Sequence, residues 1–285
     1  MFHEFKSRLR LKGNLIAETA LRIGGSRSIE PIGTDLPVVK DSMGMPYIPG
    51  SSFKGVLRSR VEQLMRTLIK GEKGACIPID LNECCITSGD INGMKDEAKG
   101  QKNEDEYLTN LILGKLCLVC QLFGSPWFGS RIQISDLYVD KDLWFDQYQI
   151  RNGVAIDRDT GTAKDGALYD YEVVPAGTQF GCEIVVENAE PWQLGMLMLG
   201  LHPFENAEIT VGGGSSRGLG KVKISWKEQG RMYFAVNGDA DKYINFLVGN
   251  SQGDPVDNIK IESWINEFKK KVMCLRQEGG ECTKN

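Results

Sequence analysis

Histidine is nearly missing from this chain: its 285 residues hold two, His3 and His202. His3 is terminal and His202 precedes Pro203 at a helix end, so neither offers the paired geometry of a histidine general acid–base system. Long apolar runs are missing as well. None approaches the roughly 20 residues that a helix needs to cross a bilayer, and residues 1–13, MFHEFKSRLRLKG, alternate without a signal-peptide core. A cytoplasmic protein with no membrane partner is expected. Net charge is small, with 34 Lys and Arg against 38 Asp and Glu, which argues against a generic polyanion binder. Two phosphate fingerprints are also lacking. The glycine run Gly212 to Gly220, GGGSSRGLG, has no Gly-Lys-Ser/Thr ending and lies between strands instead of opening a helix, so neither a P-loop nor a dinucleotide motif is present.

What is there begins with an ordinary core composition, 41% apolar and 25% charged, in a chain long enough for one large domain. The charge is unevenly spread. Residues 1–70 carry 12 Lys and Arg against 6 Asp and Glu, a net of +6, whereas residues 71–110 carry 4 against 9, a net of −5. Such asymmetry bears on a binding face more than the sum does, although solvated faces that merely differ in charge are the commoner case.

Residues 5–23 alternate, with Phe5, Ser7, Leu9 and Leu11 on one side and Lys6, Arg8, Arg10 and Lys12 on the other: a half-buried strand with a basic face, ended by Gly24-Gly25. Pro46 and Pro49 bar a helix through Tyr47-Ile48. Gly50-Ser51-Ser52 then opens a helix whose apolar stripe is Phe53, Val56, Leu57, Val61, Leu64, Met65 and Leu68. Residues 71–120 read as an insertion rich in glycine, acid and cysteine, with one helical pattern near Tyr107–Ile112. Strands follow over 131–139 and 178–187, with two extended runs over 151–174 flanking the polar tip DRDTGTAKDG between them. A helix apolar almost all round, hence buried, covers 191–201, short strands 208–211 and 221–226, and an amphipathic helix carries Ile261, Trp264, Ile265, Phe268 and Val272. Without the insertion the order is strand–helix–strand twice, an α+β ferredoxin-like (RRM-like) antiparallel sheet with two packing helices. The domain reading is 1–227, with the insertion at 71–120 and a hairpin at 150–175, followed by an extension at 228–285.

Eight cysteines in a cytosolic-looking chain point to metal or buried thiols before disulfides. Cys117-Leu-Val-Cys120 is a CxxC pair, and Cys76 with Cys84 or Cys85 supplies the other half. Two close pairs brought together by a loop suit tetrahedral zinc in a closed, structural site. Its acidic, glycine-rich part, residues 71–105, has too few apolar side chains to fold alone, which favours such a staple. Cys182 reads as core, and Cys274 and Cys282 have no assignment.

Three features favour a phosphate backbone as ligand. The serines Ser51 and Ser52 open a helix, where free N–H groups attract anions, although they also read as plain N-caps. Lys54 in the first turn opposes the helix dipole unless an anion is near. In the glycine run, Gly213, Gly214, Ser215 and Ser216 let N–H groups approach an anion beside Arg217, although such a run also reads as a tight turn. Asp35, in GTDLP, is by its own chemistry a turn residue.

The strand ending IGGS, the segment PVVKDSMGMPYIPGSSFKGVLRSR and the loop GGGSSRGLGKV, in this order over residues 5 to about 227, resemble the RAMP superfamily. More narrowly they are similar to the backbone subunit of type III CRISPR effector complexes, in the zinc-binding variants of subtype III-D or the fused single-chain effectors. That resemblance implies copies stacked head to tail, with each other and with other RAMP subunits, along a CRISPR RNA, each covering about six nucleotides. The 151–174 arm would be a thumb that kinks the guide–target duplex. The resemblance also implies metal-dependent cleavage of target RNA, with Mg²⁺ or Mn²⁺, by attack of a ribose 2′-OH on the adjacent phosphate. Asp35 stands at the place of the cleaving aspartate, as base or as metal ligand. RNA contacts are implied for Gly24, Gly25, Ser26, Arg27, Ser51, Ser52, Lys54, Arg58, Arg151, Arg158 and the glycine run. A non-cleaving guide scaffold is the alternative. The related RAMP enzyme that trims precursor guides commonly relies on an N-terminal histidine, and no suitable loop here carries one.

Overall fold

The computed structural model describes residues 4–25, 34–71, 73–80 and 83–277. The alternating N-terminal pattern forms β1, Ser7–Ala17, whose side chains alternate buried and half-exposed throughout. Past Ala17 the chain keeps isolated bridges, Leu21 to Val174 and Gly24 to Val38, so the regular strand is shorter than the pattern suggests. β2, Tyr47–Ile48, leads into α1, Gly50–Leu68, which buries Phe53, Leu57, Val61 and Met65. The insertion holds more helix than expected: α2, Ser88–Ala98, α3, Glu104–Lys115, and α4, Leu118–Phe123. After it come β3, Ile132–Ile134, and β4, Leu137–Tyr138, then the arm of β5, Gln149–Ile156, and β6, Ala163–Val173. β7, Gln179–Glu187, α5, Pro191–Glu205, β8, Ile209–Thr210, and β9, Lys221–Ala235, complete the main sheet. α6, Ala240–Leu247, β10, Asp254–Pro255, and α7, Asn258–Gln277, end the described chain.

The main sheet runs β10-β9-β1-β7-β3, with β8 beside β9, and every pairing is antiparallel. It contains two strand–helix–strand units, β1–α1–β3 and β7–α5–β9, and the first strand of each lies at the centre. This is an α+β architecture with an antiparallel sheet. One core joins the sheet to its helices: Leu9, Leu11 and Leu15 of β1 cluster with Phe53 and Leu57 of α1, Leu194 and Leu197 of α5, and Trp264 and Phe268 of α7. Burying one such side chain contributes about 1.5–3 kcal/mol, so this shared core holds the helices to the sheet. β9 continues eight residues beyond position 227, and α7 buries Trp264, Phe268 and Val272 in the common core. Residues 228–277 are therefore continuous with the sheet and its core.

The basic face of β1 does not stand free. Arg8 binds Glu187 at 2.7 Å, Arg10 binds Glu183 at 2.7 Å, and Lys12 lies 3.5 Å from Glu183. These cross-strand pairs follow from the register, which sets Arg8 opposite Glu187 and Lys12 opposite Glu183. Among the described residues no helix is long and apolar enough to cross a membrane.

Candidate nucleic-acid interface and metal centre

Three segments far apart in sequence meet around a groove of about 740 Å³, lined by Asp35 and Leu36, by Tyr169 and Tyr171 of β6, and by Gly214, Ser216 and Arg217 of the glycine run, with Arg22 behind them. Local rules place each one. Ser215–Arg217 forms a single 3₁₀ turn between left-handed Gly214 and Gly218. Gly212 has φ +83° and sits so close to the Arg22 carbonyl that a Cβ would lie 2.3 Å from that oxygen. Only glycine fits there, and the Gly213 N–H donates to the same carbonyl at 2.8 Å.

The arm is a two-stranded antiparallel hairpin whose register sets Arg151 opposite Tyr171 and Gly153 opposite Tyr169. The Tyr169 ring crosses Gly153 where a Cβ would come within 2.2 Å of it. Arg217 donates to the Tyr169 hydroxyl at 2.9 Å, and the Arg22 guanidinium stands 5.5 Å from the Tyr171 ring centre. Aromatic faces beside arginines can stack bases and meet phosphates together.

Asp35 is exposed at the edge of this groove. Its N–H donates to Asp170 Oδ1 at 2.7 Å, and the Asp170 N–H donates back to Asp35 Oδ2 at 3.2 Å. The strapping continues with Glu172 N–H to the Leu36 carbonyl and Val38 N–H to Glu172 Oε2. Lys40 closes the row at 2.9 Å from Glu172.

In the insertion, the Sγ atoms of Cys76, Cys85, Cys117 and Cys120 lie within 4.8 Å of one another, all four residues buried. Cys117 caps α4, its sulfur accepting the Cys120 N–H at 3.4 Å. Cys76 and Cys120 Sγ stand 3.6 Å apart. Hydrogen bonding first from Cys117, then from Cys120, draws Cys76 far below the ordinary thiol range and Cys85 down to about 7. Four sulfurs this close are a donor set for a tetrahedral metal ion: a zinc–sulfur bond of about 2.3 Å would set its ligands roughly 3.8 Å apart. Cys84 is the half of the 84/85 alternative that the fold leaves out, its thiol pointing to the Ile86 carbonyl at 3.2 Å.

Residues 14–223, about three quarters of the chain, match the RAMP superfamily. The chain belongs to that superfamily. Among its relatives, the "CRISPR system Cms endoribonuclease Csm3" of Methanocaldococcus jannaschii is 30% identical over 228 residues, covering 77% of this chain and 79% of the relative. The protein of the same name from Methanothermobacter thermautotrophicus is 25% identical over 227 residues (77% and 84%), and that from Enterococcus italicus 28% over 239 residues (76% and 90%).

For this RAMP chain the sequence placed several side chains where the fold does not use them. Lys54 turns inward, donating to Ser130 Oγ at 2.7 Å and to the Ile132 carbonyl at 3.1 Å, and burial, then Arg58, lower its pKa. Arg58 is also committed internally, to Glu62 at 2.8 Å, the Gly124 carbonyl at 3.2 Å and Cys120 Sγ at 3.4 Å. At the α1 N-terminus, beside exposed Ser51 and half-buried Ser52, the Gly50 N–H already has a carboxylate, Asp136 at 2.8 Å. Neither serine lines the groove, and neither do Gly213 and Ser215. Gly24 and Gly25 are exposed and pair with the Pro37–Val38 backbone next to Asp35. Arg151 and Arg158 are exposed on the arm. Ser26 and Arg27 lie outside the described residues. Sequence reading missed Arg22, Tyr169, Asp170 and Tyr171. The alternation of Leu168, Tyr169, Asp170 and Tyr171 marks a strand, but only the fold shows which face turns to the groove.

Proposed function

We propose that this chain is a guide-RNA-binding backbone subunit of a type III CRISPR effector complex that cuts complementary target RNA at intervals of about six nucleotides. The carrying observation is the meeting of Asp35, the arm tyrosines and Arg217 around one groove. The relatives are named endoribonucleases, which supports nuclease chemistry at such a site. The reading takes the sheet and its two strand–helix–strand units as ferredoxin-like, the β5–β6 arm as the thumb, and copies stacking head to tail with other RAMP subunits in the cell interior. Backbone contacts would hold any guide equally, and base pairing would supply specificity.

Asp35 accepts the proton of a ribose 2′-OH, or would hold a divalent cation while water takes that proton, as the 2′ oxygen bonds to the adjacent phosphorus. The bond from phosphorus to the 5′ oxygen breaks, leaving a cyclic phosphate and a 5′-hydroxyl protonated from water. Mg²⁺ or Mn²⁺, when bound, would neutralise phosphate charge, and Asp35 Oδ1, without a hydrogen-bond partner among the described residues, is free to face it. Zn²⁺ in the four-cysteine site serves as a structural staple, since four protein ligands leave no open position.

The test is Asp35→Asn in the assembled complex with a guide. Cleavage of a matched RNA should fall by about a hundredfold or more, with target affinity unchanged. Undiminished cutting would sink the assignment of Asp35 as the cleaving residue.

A further inference from the structure

Asp35 is exposed, yet a carboxylate that must act at one phosphate cannot be left to wander. What fixes it comes from the arm, 135 residues away. Asp35 and Asp170 exchange hydrogen bonds reciprocally, each main-chain N–H donating to the other's carboxylate, at 2.7 and 3.2 Å. The exchange closes a ring that holds both carboxylates while leaving Asp35 Oδ1 and Asp170 Oδ2 unengaged by the described residues. Two further backbone ties to Glu172 extend it along the loop.

We infer that Asp170 is the positioning residue for Asp35, so that the arm sets the cleaving carboxylate as well as bordering the groove. This rests on the reading of Asp35 as the cleaving group. Asp170 acts as a hydrogen-bond acceptor for the Asp35 N–H, and a neutral amide oxygen can fill that role. The reciprocal bond comes from the Asp170 main chain and survives any substitution there. The assignment therefore predicts a difference between two variants that remove the same charge.

The experiment measures single-turnover cleavage of a matched RNA by complexes carrying Asp35→Asn, Asp170→Ala or Asp170→Asn, alongside target affinity and the dependence on Mg²⁺ concentration. Asp170→Ala should cut about ten- to a hundredfold more slowly, the scale of a slightly misplaced catalytic group, with target affinity within twofold of the parent. Asp170→Asn should recover most of the rate, with the same Mg²⁺ midpoint as the parent. Full-rate cutting by Asp170→Ala, beside an inactive Asp35→Asn, would overturn the assignment alone. An Asp170→Asn as slow as Asp170→Ala, with a raised Mg²⁺ midpoint, would also overturn it, because Asp170 would then be a cation ligand. Equal losses of affinity and rate in both Asp170 variants would reduce the residue to general support of the arm and overturn it too. Full-rate cutting by Asp35→Asn would overturn the reading beneath it.

Discussion

Arg58 looks from sequence like one more cation on the exposed side of a basic helix, and its side chain does something else. Together with Glu62 and Arg66, one and two turns further on, it fastens α1 to the cysteine insertion. Arg58 reaches Cys120 Sγ and the Gly124 carbonyl, Arg66 reaches the Cys76 carbonyl at 2.7 Å, and Glu62 binds both arginines. A guanidinium near a thiolate also offsets the negative charge of a four-cysteine metal site, a supporting contact of the kind that tunes affinity. Arg58→Ala would leave Glu62 half-paired and should destabilise the fold by about 2 kcal/mol. Metal release to a chelator should quicken by about ten- to a hundredfold. Arg58→Lys should recover little, because an ammonium cannot span three acceptors as a planar fork does. Thermal unfolding and a colorimetric chelator assay would read both effects, and an unchanged release rate in Arg58→Ala would show that the guanidinium does not support the metal.

The elements whose pattern is local were legible, and those completed by distant partners were not. β1 was legible because its alternation runs unbroken for eleven residues. The helix α1 was legible because prolines bar a helix before it and its stripe repeats for five turns. In contrast α2 buries only Ile91 and Ala98, too little to leave a periodic trace, and two glycines dilute what remains. It is held by a capping box between Thr87 and Asp90 and by Lys115 of α3, 2.5 Å from Asp90. α5 was read as buried without a sign of what covers it, and the cover is α7, which meets it at Gly195, together with α1, which meets it at Gly200. Apart from the cysteines the insertion buries a modest apolar set, Ile86, Ile91, Ile112, Leu116, Leu118 and Val119 with two alanines, and its fold should depend on the metal that joins the cysteines. Removing the metal with a strong chelator should raise amide hydrogen exchange across residues 73–123 while β1, β7 and α5 stay protected. Uniform protection after complete metal loss would show that this apolar set suffices as a core.

At the scale of the whole molecule, charge is the property most altered by folding. The +6 of residues 1–70 suggested a broad basic surface, but Arg8, Arg10, Lys12, Arg58 and Lys40 are each matched by an internal carboxylate, and Lys54 is turned inward. Sequence alone cannot reveal this, because the matching acids Glu172, Glu183 and Glu187 lie more than a hundred residues away and meet their partners only through strand register. Among the described residues, the cations left around the groove and its arm are Arg22, Arg151, Arg158, Lys164 and Arg217, of which the three or four nearest a bound strand would meet phosphates. The predicted salt dependence of RNA binding is therefore shallow. Three or four phosphate contacts on a single strand give a slope of log affinity against log salt of about −2 to −3 per bound protomer, whereas six would give about −4. Arg217→Ala should lower the magnitude by about 0.7 without altering sequence preference. Titrations of a short single-stranded RNA across a range of salt would measure both. A slope of −4 or steeper, unchanged by Arg217→Ala, would mean that RNA displaces the glutamates from the outer face of β1 and lies across the sheet instead of along the groove.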